Sequence, residues 1–140
     1  VQTSMRHYRL AVALRPEYGD AHANLGAALG VSGQFKKSVH HLRIAVSRRP
    51  DHGVAQHNLG LALHSLGQVD EAITHYRRAL DIDADFAVAH HALGTALATR
   101  GEYDDAVFHL RQALLLDPHN EESRRKLQAA QALARKGVIQ

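Results

Sequence analysis

Twelve histidines stand in a chain of 140 residues. Four of them open the hexapeptides HYRLAV, HLRIAV, HYRRAL and HLRQAL, at His7, His41, His75 and His109. Imidazole suits both metal ligation and proton transfer near neutral pH, so these residues are the first place to look for chemistry. A helix chelates a metal through histidines at i and i+3 or i+4, and no histidine here has another at either spacing. His40 and His41 are adjacent, as are His90 and His91, and so point about 100° apart on a helix. The hexapeptide histidines recur every 34 residues. That puts them on successive helices with axes roughly 8–10 Å apart, beyond the reach of one zinc ion. No nucleophile stands in a recognisable relation to any of them. The absence of Cys excludes disulfides and thiolate metal sites. The expectation is no catalytic residue, no metal site, no cofactor, and a chain that is not itself an enzyme.

Two other chemical signals dissolve on inspection. GVSGQFKKS, residues 30–38, holds Gly, Lys and Ser without the spacing of a phosphate-binding loop, and no strand precedes it. Asp104–Asp105 and Glu121–Glu122 stand at expected helix starts, where acidic residues offset the helix dipole. Glu71 with His75, and Asp105 with His109, are i, i+4 pairs expected on exposed faces, worth a few tenths of a kcal/mol at most.

What the histidines mark is a period. On the same 34-residue step, Leu25–Gly26 aligns with Leu59–Gly60 and Leu93–Gly94, Gly33 with Gly67 and Gly101, and Ser38 with Ala72 and Ala106. Ala11, Ala45, Ala79 and Ala113 form a further column, and Pro16, Pro50 and Pro118 another, with Ala84 in the remaining slot. Each period carries two helical stretches. Ala21, Leu25, Ala28 and Leu29 make an apolar stripe. Gly33 then breaks the helix, as a residue able to take the left-handed conformation does. Phe35, Val39, Leu42 and Val46 form a second stripe, and Pro50 ends the unit. A helix of about 12–14 residues buries one stripe only, so each pair needs its neighbours. Gly26, Gly60 and Gly94 lie inside helices, where Gly costs about 1 kcal/mol relative to Ala. Close approach of the paired helix would repay it, with Ser38, Ala72 and Ala106 opposite. In each hexapeptide the His and Arg point about 200° apart, while Tyr8, Leu42, Tyr76 and Leu110 between them fall on the buried stripe.

The segments NLGAAL…SGQFKKS…RIAVSRRP, NLGLAL…LGQVDEA…RRALDIDA and ALGTAL…RGEYDDA…RQALLLDP resemble the tetratricopeptide repeat. The departures are Ala84 in place of Pro, and His22, Gln56 and His90 where the first helix usually has an aromatic. The resemblance implies an all-α, right-handed superhelical solenoid of antiparallel helix pairs. Three full repeats would span 19–52, 53–86 and 87–120. The second helix of a truncated repeat would precede them at 1–18, and a C-terminal solvating helix and tail would follow at 121–140. Asn120 would cap that last helix, Leu127, Ala130 and Ala134 would give it a thin apolar stripe, and Arg124, Arg125, Lys126, Arg135 and Lys136 would face water. The helix around Met5 has no pair of its own. Its open apolar side fits a truncated array, or self-association through that face.

The resemblance also implies that the first helix of each repeat lines a concave groove. The matching residues are Ala23, Asn24, Ala27 and Val31, then His57, Asn58, Leu61, His64 and Ser65, then Val88, His91, Ala92, Thr95 and Thr99. Relatives that clamp the carboxylate tail of a chaperone need basic residues there, and Ala23, Ala27, Thr95 and Thr99 stand in those places, with Asn58 alone matching. Asn24 and Asn58 resemble the asparagine ladder of O-linked N-acetylglucosamine transferases, broken here at Ala92. An amide side chain matches the donor and acceptor of a peptide group. The expected peptide-binding groove is therefore Asn24, Ala27, His57, Asn58, Leu61, His64, His91 and Thr95, with the histidines able to add pH dependence near neutrality.

The leading function is a protein-interaction scaffold binding an extended peptide or partner segment. The alternatives are the substrate-recognition segment of a larger enzyme, such as a glycosyltransferase, and a nucleic-acid-binding helical repeat. Net charge is only +3, and the bases sit mainly on second helices, so neither nucleic acid nor membrane is an expected partner. No apolar run approaches the roughly 18 residues of a membrane span. The compartment stays open, with the cytoplasm favoured.

Overall fold

The computed structural model describes residues 2–139, and side chains through residue 137. Val1 and Gln140, the ends of the first and last expected segments, lie outside the described residues. The helices are α1 (Gln2–Leu14), α2 (Gly19–Val31), α3 (Phe35–Arg48), α4 (Gly53–Ser65), α5 (Val69–Ile82), α6 (Ala87–Thr99), α7 (Tyr103–Leu116) and α8 (Glu121–Ile139). Among the described residues there is no strand. Two compact units divide the chain, residues 1–82 and residues 83–140.

In the first unit, α1 packs on α2, α2 on α3, α3 on α4 and α4 on α5, and α2 also touches α4. Met5, Leu25 and Leu29 bury together, with Tyr8, Val12 and Ala28 against them. Leu42, Leu59, Leu63, Ile73 and Tyr76 continue the core. In the second unit α6 packs on α7, and α8 closes on both, burying Leu93, Leu97, Leu110 and Ala130.

The periodic glycines do two different things. Gly33, Gly67 and Gly101 have φ of 78°, 80° and 80°, the left-handed geometry that ends a helix. At the first of them the N–H of Gln34 reaches back to the Leu29 carbonyl at 2.9 Å, so the last turn is satisfied and the chain reverses into α3. Gly26, Gly60 and Gly94 instead make room. A Cβ on Gly26 would lie 2.5 Å from Leu42 Cγ, on Gly60 2.5 Å from Tyr76 Cε1, and on Gly94 2.6 Å from Leu110 Cγ. The close approach is as expected, but its partner differs. The group on each glycine is the large side chain at the second position of the hexapeptide, one turn beyond the small residue. Ser38 acts otherwise: its hydroxyl donates to the Gly26 carbonyl at 2.6 Å, buried between α2 and α3.

The last helix is capped as expected, with Asn120 Oδ1 accepting the Ser123 N–H at 2.9 Å. It is less of a solvent-facing lid than its charge suggests. Ser123 and Ala130 are fully packed, and Lys126 is half-buried. Arg124, expected to face water, is half-buried too; it pairs with Glu121 and donates to the Pro118 carbonyl at 2.8 Å.

Candidate functional site

In the first unit, α2, the start of α3 and α4 enclose an open pocket of about 290 Å³. Its walls are Ala27, Gly30, Val31, Phe35, Ser38, Asn58, Leu61, Ala62 and Ser65. None carries a charge. The small residues at 27, 30, 38 and 62 create the space, and Phe35 and Leu61 make its apolar sides. Asn58 is half-buried at the wall, while Leu61 is 43% exposed and Val31 83% exposed. Ala27, Asn58 and Leu61 of the expected groove therefore share one pocket.

The other expected groove residues stand elsewhere. Asn24 is exposed on α2 but outside the pocket wall. His57 is only 7% exposed and packs on the Tyr76 ring, centroids 5.9 Å apart. His64 is half-buried with its ring edge-on to Tyr76 at 6.5 Å. Tyr76 fills the notch at Gly60, and both histidine rings lie against it. Tyr76 Oη is buried with no hydrogen-bond partner, and burial pushes its phenol pKa upward.

In the second unit, His91 meets the last helix. Its Nδ1 is hydrogen-bonded to Ser123 Oγ at 2.7 Å and its Nε2 lies 3.8 Å from Glu122 Oε1, so α8 takes the ring that was expected to line a groove. Burial lowers the His91 pKa, with Glu122 opposing and Lys126 adding to the fall. Thr95 donates to the His91 carbonyl at 2.9 Å. Thr95 and Thr99 line a second pocket of about 290 Å³ with Ala98, Leu110, Lys126, Ala129, Ala130 and Leu133. That pocket contains a cation, whereas the first does not.

The hexapeptide histidines have a structural partner that helical spacing did not reveal. His22 Nε2 lies 2.8 Å from the Pro16 carbonyl, and His22 Nδ1 lies 3.0 Å from His41 Nδ1. In the next repeat, Gln56 Nε2 donates to the Pro50 carbonyl at 3.1 Å, and His75 Nδ1 lies 2.8 Å from Gln56 Oε1. In the third, His90 Nε2 lies 2.9 Å from the Ala84 carbonyl, and His90 Nδ1 lies 3.0 Å from His109 Nδ1. A carbonyl only accepts, so His22 carries its hydrogen on Nε2 and presents a bare Nδ1, to which His41 donates. Gln56 plays the same part with its amide: nitrogen to the carbonyl, oxygen to His75. Each repeat thus ties the turn before its first helix to its second helix. His75, expected on an exposed face, is buried. The signal lay in the pairing of two columns 19 residues apart, not in one helix.

No curated protein matches the chain. Residues 60–99 match the family model described as TPR repeat, and residues 87–120 match the one described as tetratricopeptide repeat. Among solved structures, the chain is similar to the Arabidopsis OM64 TPR domain at 22% identity and a TM-score of 0.78, covering 80% of this chain and 93% of that one. It is also similar to the first TPR of Spaghetti (RPAP3) bound to the HSP90 peptide SRMEEVD, at 20% identity and a TM-score of 0.79, covering 83% and 93%. The fold is that of an all-α helical repeat, and the expected class holds.

Proposed function

We propose that this chain of tetratricopeptide repeats is a non-catalytic scaffold that binds an extended segment of a partner protein across α2 and α4. Asn24 and Asn58 hold the segment's backbone, and one of its apolar side chains enters the α2–α3–α4 pocket. The observation that carries this reading is the pocket itself, uncharged along its whole wall, with Asn58 in that wall. Seating an aliphatic side chain there is worth about 1.5–3 kcal/mol at full burial. The neighbour's bound peptide, SRMEEVD, is acidic. A wall without cations favours a neutral, apolar segment instead. The likeness of Asn24 and Asn58 to an asparagine ladder belongs to the same proposal.

The test begins with ligands selected from a random peptide library displayed on phage. Calorimetry should then show the Asn24→Ala/Asn58→Ala variant binding a selected peptide about tenfold more weakly, the loss of roughly 1.4 kcal/mol, with helicity unchanged. Equal affinity of the two proteins would remove the asparagines from the account.

A second copy of the chain is a separate proposed partner, for α1. Leu10 and Leu14, one helical turn apart, are 57% and 73% exposed, and Tyr18 just beyond the helix is 51% exposed. Sedimentation should show a concentration-dependent dimer that Leu10→Glu/Leu14→Glu abolishes. A monomer at every concentration would dismiss it.

A further inference from the structure

The His22–His41 contact is a meeting of nitrogen with nitrogen, not of ring faces. The ring centroids are 5.3 Å apart and the two Nδ1 atoms 3.0 Å apart. Those distances leave only the two ring radii to be made up, so the imidazoles meet end to end in one N–H···N hydrogen bond. His90 and His109 repeat the arrangement, with centroids 5.3 Å apart and the same 3.0 Å contact. End-on rings at this distance leave no room for a metal ion between the nitrogens, whose bonds to imidazole are about 2.0–2.1 Å each. One hydrogen fits.

We propose that the His22–His41 pair is an acid-sensitive tie, closed by a single hydrogen and opened by a second, and that Gln56 makes the equivalent tie of the next repeat acid-tolerant. The chemistry follows from which nitrogens are already committed. His22 Nε2–H is held by the Pro16 carbonyl, so any added proton on His22 goes to Nδ1. There it faces the Nδ1–H of His41, donor against donor. His41 can take a proton on Nε2 and keep donating, so the pair tolerates one added proton and resists two. Gln56 Oε1 has no site for a proton in this range. His75 can become an imidazolium and still donate to it.

The surroundings of the first pair add to its resistance. Arg9 on α1 and Lys37 on α3 line an open cavity with His41, and the His40 ring lies edge-on to His41 with centroids 5.1 Å apart. Asp20, the acid near the start of α2, is turned to Arg49 at 2.8 Å and lies 4.0 Å from His52. Burial, His22, His40 and Arg9 all lower the His41 pKa. Around His75 the balance is mixed: burial lowers the pKa, Arg78 and Arg43 lower it further, and Glu71 raises it.

The sign follows from linkage. An unfolded chain binds each proton at about pH 6.5, while the folded pair holds one of them out. Stability conferred by the tie is complete above that pH and falls as pH drops through it. Holding out one proton as far down as pH 5 lowers the folding equilibrium constant about 30-fold. The consequence is patterned along the chain: acid frees the turn before α2 and the contact of α2 with α3, and in the same way the His90–His109 tie between α6 and α7, while the α4–α5 tie stays closed.

Urea unfolding of the wild-type chain, His22→Gln and Gln56→His at pH 7.5 and pH 5 tests this. His22→Gln should match the wild type at pH 7.5 and lose roughly 30-fold less at pH 5. Gln56→His should lose more than the wild type. Equal acid losses in all three chains would overturn the proposal. If either variant fails to fold, the wild type decides alone. In a nitrogen-detected NMR titration His22 should keep its Nε2–H tautomer at neutral pH, and the His22–His41 pair should take up its two protons in separate steps. Independent titration of both rings near pH 6.5 would contradict the tie.

Discussion

The helix pairs α2–α3 and α4–α5 share a backbone plan and differ in the two side chains that set its interior. The first places Leu42 on Gly26 and ties His41 to His22; the second places Tyr76 on Gly60 and ties His75 to Gln56. The lesson is that a column in this chain fixes a contact and leaves the residue free. Position 22 or 56 must donate to a carbonyl six residues back and accept from a histidine 19 residues on. Imidazole and carboxamide both do so. Position 42 or 76 must fill the space above a glycine, and a branched aliphatic or a flat ring both do so. The difference shows in what each choice leaves over: a second protonatable nitrogen in the first repeat, an unsatisfied buried hydroxyl in the second.

The largest predicted effect is at the glycines. Gly60→Leu should destabilise by about 1–3 kcal/mol through overpacking. The comparison sharpens with alanine. A Cβ at either glycine would lie 2.5 Å from its neighbour, a branched aliphatic chain at Gly26 but at Gly60 the rigid Tyr76 ring, which also contacts the His57 and His64 rings. Gly60→Ala should therefore cost more than Gly26→Ala in parallel denaturant titrations, and the reverse order would break the comparison.

Tyr76→Phe comes next. A buried hydroxyl with no partner costs about 1–3 kcal/mol, so removing it should raise stability by about 1 kcal/mol. The gain should widen in alkali. The folded phenol's pKa is raised by burial, while the unfolded one ionises at about pH 10, so wild-type stability falls as pH climbs past that value and the Phe variant escapes the loss. A variant less stable than wild type would mean that the hydroxyl is satisfied. Smallest is Ser38→Ala, which deletes the bond to the Gly26 carbonyl. It should cost about 0.5–1.5 kcal/mol, and Ala72 and Ala106 in the equivalent places indicate that the fold tolerates it.

The all-α helical-repeat class, the helix breaks at Gly33, Gly67 and Gly101 and the buried stripes were legible in the sequence, because backbone geometry and amphipathic spacing leave local marks. So were Ala27, Asn58 and Leu61 as neighbours, since they lie on facing positions of successive first helices. What escaped depended on side chains meeting across helices. His57 packs on Tyr76, which fills the Gly60 notch where a small residue was expected. His91 was taken by Ser123 and Glu122 of a helix read as a polar lid. His22 and His41 lie 19 residues apart on two helices, and spacing within one helix carries no mark of a contact between helices.

The proposed partner segment binds at the uncharged pocket walled by α2 and α4. The most direct test is methyl NMR of the chain during titration with a neutral, apolar peptide selected from the displayed library. The methyls of Ala27, Val31, Leu61 and Ala62 should shift together and saturate at one affinity, while Leu10 and Leu14 on α1 stay in place. Saturable binding that leaves those four methyls unmoved would contradict the claim.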